Sequence, residues 1–168
     1  MRVLVAHGSR MGGTTGIAET IVETLRQQGL EAEMRAAGAI KDVAGYDAVI
    51  VGGALYAKRW HKDARHLVKK NAAILKTKPV WLFSSGPLDD SAKVGDLPPV
   101  DMLRKLMEQI DARGHHTFGG RLPADADWFP ASAMAKEHAG DWRDMAQVTY
   151  WATEIASELS WKVEARTT

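Results

Sequence analysis

Cysteine is absent from the 168 residues, and its absence removes several chemistries at once. No disulfide, thiolate nucleophile or cysteine-held iron–sulfur cluster or zinc ribbon can form. Any redox work must therefore be carried by a bound organic cofactor. An excess of one charge is also lacking. Twenty-two Lys/Arg stand against 21 Asp/Glu, a formal net charge of +1, so global charge selects no partner. No apolar run is long enough to span a bilayer, and the opening MRVLVAHGSR is too short and wrongly flanked for a secretory leader. A cytoplasmic location is the expectation.

Hydrophobic residues at 45 % and charged residues at 26 % fit an ordinary globular chain. No repeat, low-complexity tract or linker divides it, so residues 1–168 are read as a single domain. Apolar runs alternate with helical patterns. Val3-Leu4-Val5-Ala6, Ala48-Val49-Ile50-Val51 and Val80-Trp81-Leu82-Phe83 have the doubly apolar character of central parallel strands. Weaker strands are expected at about 31–35 and 115–121. Ile17, Ala18, Ile21, Val22 and Leu25 form one helical face closed by Gly29. Further helices are expected over about 62–75, 100–110 and 142–161. Five strands alternating with helices call for an α/β fold with helices on both faces of a parallel sheet. With right-handed crossovers, the flavodoxin-like order 2-1-3-4-5 is the economical winding. A ligand then lies at the carboxyl ends of the strands, at the switch between the first and third.

That topology brings three loops together. The first, Ser9-Arg10-Met11-Gly12-Gly13-Thr14-Thr15, joins a strand to a helix. Its backbone N–H groups and the positive end of the helix dipole suit a phosphate. Gly12 and Gly13 allow close approach, while Ser9 and Thr14 add hydroxyls. Neither GxxxxGK[ST] nor GxGxxG is present, so a tightly held monophosphate fits better than a transferred one. A plain Gly-rich turn is the bland alternative. The second loop, Ala54-Leu55-Tyr56-Ala57-Lys58-Arg59-Trp60-His61, offers Trp60 first and Tyr56 second for stacking on a flat ring. Either aromatic could equally seal the core beneath the loop. The third loop offers Ser84, Ser85, Gly86, Pro87 and Leu88 beside the polar edge of such a ring.

A fourth stretch, 119–128, should approach from the fifth strand. Arg59, His61, Lys62 and Arg121 are candidate substrate contacts. Trp128, Trp142 and Trp161 hint at a lid or an interface. His115 and His116 point to opposite faces of a strand, and Asp89-Asp90 lacks a spaced third ligand, so no metal is expected.

From Lys58 to Lys78 eight Lys/Arg accompany one acid, Asp63. Such a patch can attract anions or an anionic membrane surface; a solvated helix face is the plain alternative.

The blocks SRMGGT, YDAVIVGGALYAKRWHKDA, VWLFSSGPLDD, FGGRL and GDWRDMAQVTYWATEIA together resemble the flavodoxin-domain family that includes menaquinone-dependent protoporphyrinogen dehydrogenase. The resemblance runs through nearly the whole chain. It implies FMN as cofactor, with the phosphate at Ser9, Arg10, Met11, Gly12, Gly13 and Thr14. It puts the isoalloxazine between the loops Ala54 to Trp60 and Ser84 to Leu88. It further implies oxidation of a tetrapyrrole, protoporphyrinogen, with electrons passed to a quinone. Two positions depart from the flavodoxin pattern: Met11 stands where a third hydroxyl is usual, and Gly13 where Asn or Ser is usual. The chain also lacks the strong acidity of electron-carrier flavodoxins. A cofactor-free binding module and a quinone reductase fed by NAD(P)H therefore stay in view. LVAHGSR also resembles the start of small sirohydrochlorin chelatases, in which His7 would bind metal.

Overall fold

A computed structural model describes residues 1–10 and 12–164, with side chains up to 161. The chain starts with β1 (Arg2–Gly8), then α1 (Gly13–Gln27), β2 (Glu31–Ala36), β3 (Ala48–Tyr56) and the short β4 (Arg59–Trp60). Next come α2 (Lys62–Lys70), α3 (Ala72–Leu75), β5 (Val80–Ser85), α4 (Ser91–Val94), α5 (Asp101–Ile110) and β6 (Gly114–Phe118). A segment of β7 (Arg121–Leu122), α6 (Ala131–His138) and β8 (Gly140–Asp141) precedes the final helix α7 (Met145–Glu164).

Five parallel strands run in the order β2-β1-β3-β5-β6, which is 2-1-3-4-5 when only parallel strands are numbered. The central strands are apolar on both faces because each face is covered. Val3, Val5, Ile50, Trp81 and Phe83 meet the stripes of α1 and α7 on one side. Leu4, Ala6, Val49, Val51 and Leu82 meet α2, α3 and α5 on the other. Burial of these side chains, at about 1.5–3 kcal/mol each, is the main force holding the layers together.

Four expectations about element bounds are corrected. The helix expected over 62–75 breaks at Asn71, whose buried carboxamide donates to the Leu67 carbonyl at 3.0 Å and ends the α2 turn. The third strand continues to Tyr56 because Leu55 and Tyr56 pair with Trp60 and Arg59 of β4. The fifth parallel strand stops at Phe118, short of Arg121. A Cβ on Gly119 would lie 2.0 Å from the Trp142 carbonyl oxygen, so the chain leaves the sheet there under the returning segment. The last helix begins at Met145 and not at Trp142, because the Asp144 carboxylate accepts from the N–H groups of Ala146 (3.0 Å) and Gln147 (3.3 Å) and caps it.

Candidate functional site

The carboxyl ends of β1, β3 and β5 converge with the β7–α6–β8 segment around a cavity of about 660 Å³, within the range of small-molecule sites, about 300–1,000 Å³. At one end lies the start of α1. Gly12 adopts φ +73°, a left-handed conformation that a side chain resists, and its N–H donates to Ser9 Oγ at 3.1 Å. The first helical bond runs from Gly16 N–H to the Gly12 carbonyl at 3.2 Å. The amides of the first α1 turn therefore have no helical acceptor and face the pocket as anion donors. Thr14 is fully buried, and its hydroxyl shares a hydrogen bond of 3.0 Å with Ser85 Oγ. That bond ties the loop after β1 to the end of β5.

The other end of the cavity is apolar. Leu55, Tyr56, Leu88, Leu122, Trp128 and Met134 line it. The Tyr56 and Trp128 rings meet edge to face at 5.6 Å, and burial raises the Tyr56 pKa, so its phenol stays protonated. The Arg10 guanidinium lies 5.1 Å from the Trp128 ring centre, in cation–π range. Trp128 Nε1 is buried with no hydrogen-bond partner among the described residues. Such a donor needs an acceptor that the protein does not itself provide.

Of the residues expected from sequence, Ser9, Gly13, Thr14, Ala54, Leu55, Tyr56, Ala57, Ser85, Gly86 and Leu88 line this cavity. Gly12 supports it from behind. Met11 lies outside the described residues. Trp60 requires correction: it is 2 % exposed and donates its Nε1–H to the Phe83 carbonyl at 3.1 Å. It fills the core between β4 and the sheet, and the neighbouring ring at the cavity is Trp128. Arg10 does not itself line the cavity and contacts one of its wall residues, Trp128, over the ring. Ser84 points to the opposite sheet face, where its hydroxyl meets His115 Nε2 at 3.1 Å. The Pro87 carbonyl accepts from Gly120 N–H at 2.8 Å, so that residue serves the rim. Trp128, Leu122, Pro130, Ala131 and Met134 were missed as cavity residues. The sequence signals were the placement of 119–128 near the site, which covers Leu122 and Trp128, and the reading of Trp128 as a lid or interface residue; Pro130, Ala131 and Met134 carried none.

His61 is buried and accepts from Asp63 N–H at 3.3 Å. It caps α2, and burial lowers its pKa, so it is a neutral structural group. His7, also lowered by burial, is half-buried against Thr15, with Nδ1 3.4 Å from its hydroxyl. Among the described residues no three His, Asp or Glu side chains are grouped to hold a metal. A larger recess of about 1030 Å³ lies at the opposite end of the sheet. There the Lys78 ammonium is consumed by the Ala44 and Tyr46 carbonyls, and the walls are polar.

A doubly wound parallel sheet with an anion-binding helix start and an apolar pocket at its switch point defines a nucleotide-cofactor α/β protein. The chain belongs to the flavodoxin domain family, whose family model matches residues 4–136. It is similar in structure to a flavodoxin from the domain Archaea, at 15% identity and a TM-score of 0.62 over 95% of this chain and 99% of that one. Flavodoxin 2 from Bacillus cereus is similar at 16% identity and a TM-score of 0.63, over 94% of this chain and 99% of that one. The rubredoxin oxygen:oxidoreductase of Desulfovibrio gigas gives a TM-score of 0.66 at 14% identity; the match covers 96% of this chain and only 37% of that one. These likenesses show the fold.

FMN is the cofactor that flavodoxin domains bind. The donor set here fits it. Unpaired amides at the α1 start suit its phosphate, the apolar wall of Tyr56, Trp128 and Leu88 suits its ring system, and the Trp128 indole N–H lacks an acceptor.

Proposed function

We propose that this protein is an FMN-dependent oxidoreductase for a flat, largely apolar substrate. The observation that carries this reading is the apolar roof that β7–α6–β8 lays over a pocket whose far end is built for a phosphate. FMN supplies two-electron chemistry when bound. The chain's own residues hold it, exclude water through Leu55, Leu88 and Trp128, and offer an apolar approach. Phe129, 83 % exposed, and Met134, 43 % exposed, stand at the outer edge of that roof. Both are in place to touch a planar substrate entering from outside.

The specific substrate we propose is protoporphyrinogen, with a quinone as electron acceptor. Apolar entry and nearby cations suit a tetrapyrrole bearing propionates, and the family resemblance points the same way. Lys62, His66, Lys69 and Lys70 on the exposed side of α2 supply a basic face. That face suits an anionic membrane surface, where a lipid quinone resides. No helix among the described residues is long and apolar enough to cross a membrane. Sedimentation with anionic and neutral vesicles tests the contact: binding only to anionic vesicles is expected.

Purified protein should be yellow and release FMN on denaturation. Anaerobic mixing of the FMN-loaded protein with protoporphyrinogen should bleach the flavin, and a menaquinone analogue should restore its colour. Flavin that stays oxidised would remove the tetrapyrrole assignment. Colourless protein that takes up no added FMN would remove the oxidoreductase reading itself, leaving a binding module.

A further inference from the structure

The loop after β1 has fewer side-chain donors than a monophosphate site calls for. Ser9 Oγ accepts from Gly12 N–H and keeps its O–H as a donor, the Thr14 hydroxyl is buried against Ser85, the Thr15 hydroxyl lies 3.4 Å from His7 Nδ1, and Gly13 has no side chain. The structure gives a physical cause for that last feature. A Cβ on Gly13 would sit 3.2 Å from Arg121 Cβ and 3.5 Å from Arg121 N. The space where a side chain at position 13 would stand is taken by β7.

We propose that Arg121 replaces the missing loop donors and grips the FMN phosphate across the start of α1. This inference rests on the reading of the site as an FMN site. Arg121 borders the cavity together with Ser9, Gly13 and Thr14. Its Cβ is fixed against the first residue of α1, and its side chain is exposed. The guanidinium is thus free to turn toward an anion held on the α1 amides, and a fork of N–H donors matches phosphate oxygens.

Two neighbouring charges compete for it or assist it. Asp141 is the cross-strand partner of Arg121. Arg143 already holds that carboxylate, with Nη2 2.6 Å from Oδ2 and Nε 2.9 Å from Oδ1, and donates from Nη1 to the Gly13 carbonyl at 3.2 Å. Asp141 is therefore satisfied by Arg143, and among the described residues the Arg121 side chain makes no hydrogen bond or ion pair of its own. Arg143 also places positive charge beside the first turn of α1 through its bond to the Gly13 carbonyl. The role fits Arg121 better than direct substrate contact, because its stem is anchored at the phosphate end and the apolar entry lies at the other.

The test measures affinity for FMN and for riboflavin by quenching of flavin fluorescence, at low and at high salt. The proteins compared are the wild type, R121A and R121K. Charge-assisted hydrogen bonds to phosphate correspond to about a tenfold to hundredfold change in affinity. We expect R121A to lose about tenfold or more in FMN affinity with riboflavin affinity unchanged. Its FMN affinity should also depend less on salt than that of the wild type. R121K should recover part of the loss, through charge without the fork. Equal weakening toward both ligands would overturn the assignment, because Arg121 would then merely support the roof. FMN binding that R121A leaves unchanged would overturn it as well. Wild-type protein that binds riboflavin and FMN equally would remove the phosphate site altogether, and binding of neither would remove the FMN reading beneath it.

Discussion

Trp60 and Trp128 show how one residue type serves two ends. The Trp60 indole lies over Gly53, where an added Cβ would come within 2.6 Å of Nε1, and its N–H is paired with a core carbonyl. Trp60→Ala should cost about 3–5 kcal/mol of stability, as large aromatic truncations do, read as a lower urea midpoint. Trp128→Ala should leave that midpoint nearly unchanged and weaken binding of both FMN and riboflavin. The equal loss separates the Trp128 effect from that of an Arg121 variant. Both tryptophans stand in loops that mix charged residues with alanine, and residue type alone gives no means of ranking them. What decides is that β4 folds back on β3, which points Trp60 inward, and a two-residue strand leaves no periodicity to read.

The β3–β4 hairpin carries a further consequence at the level of an element. Its tip residues Ala57 and Lys58 adopt φ +48° and +61°, the turn form that favours Asn-Gly or Gly-Gly. Non-glycine residues there cost about 1 kcal/mol or more each. Lys58→Gly should therefore raise stability by up to about 1 kcal/mol, after the added flexibility of the unfolded chain is offset. Denaturant unfolding would show it, and a decrease would mean that the Lys58 side chain stabilises the tip by more than its strain. Elements with long apolar periodicity were legible. β1, α1, β3 and β5 announce themselves because each must bury one or both faces, and the strand order followed from crossover handedness. The β7–α6–β8 segment was not legible as structure. Its sequence, RLPADADWFPASAMAKEHAGD, mixes turn residues with isolated aromatics, and α6 buries only Ala131 and Ala135. Small buried side chains leave little amphipathic signal, so the roof of the site is visible only after folding.

For the whole molecule, histidine burial sets the response to acid. His7, His61, His115 and His116 are all held below the ordinary imidazole range, each mainly by burial. His115 falls furthest, to about 4. Folded protein keeps it neutral while the unfolded chain takes up a proton below pH 6.5, so protons favour unfolding as pH falls from 6.5 toward 4. The loss from His115 alone reaches about 3 kcal/mol at the lower end of that window. Urea midpoints measured from pH 7.5 to pH 4.5 should fall with acid, and His115→Asn should flatten the slope. A midpoint independent of pH in that window would contradict the burial of these rings.

The segment that roofs the cavity enters and leaves the fold at one point. Gly119 touches the Trp142 carbonyl, and Trp142 N–H donates to the Gly120 carbonyl at 3.0 Å. Replacing residues 121–141 with a short turn should therefore leave the parallel sheet and both helical layers folded, as circular dichroism would report, while stripping one wall from the pocket. In evolutionary terms the segment is a cassette. A chain built this way can exchange the surface it shows to a substrate by insertion at a single site, provided the exchanged segment keeps positions equivalent to Arg121 and Trp128 at the nucleotide.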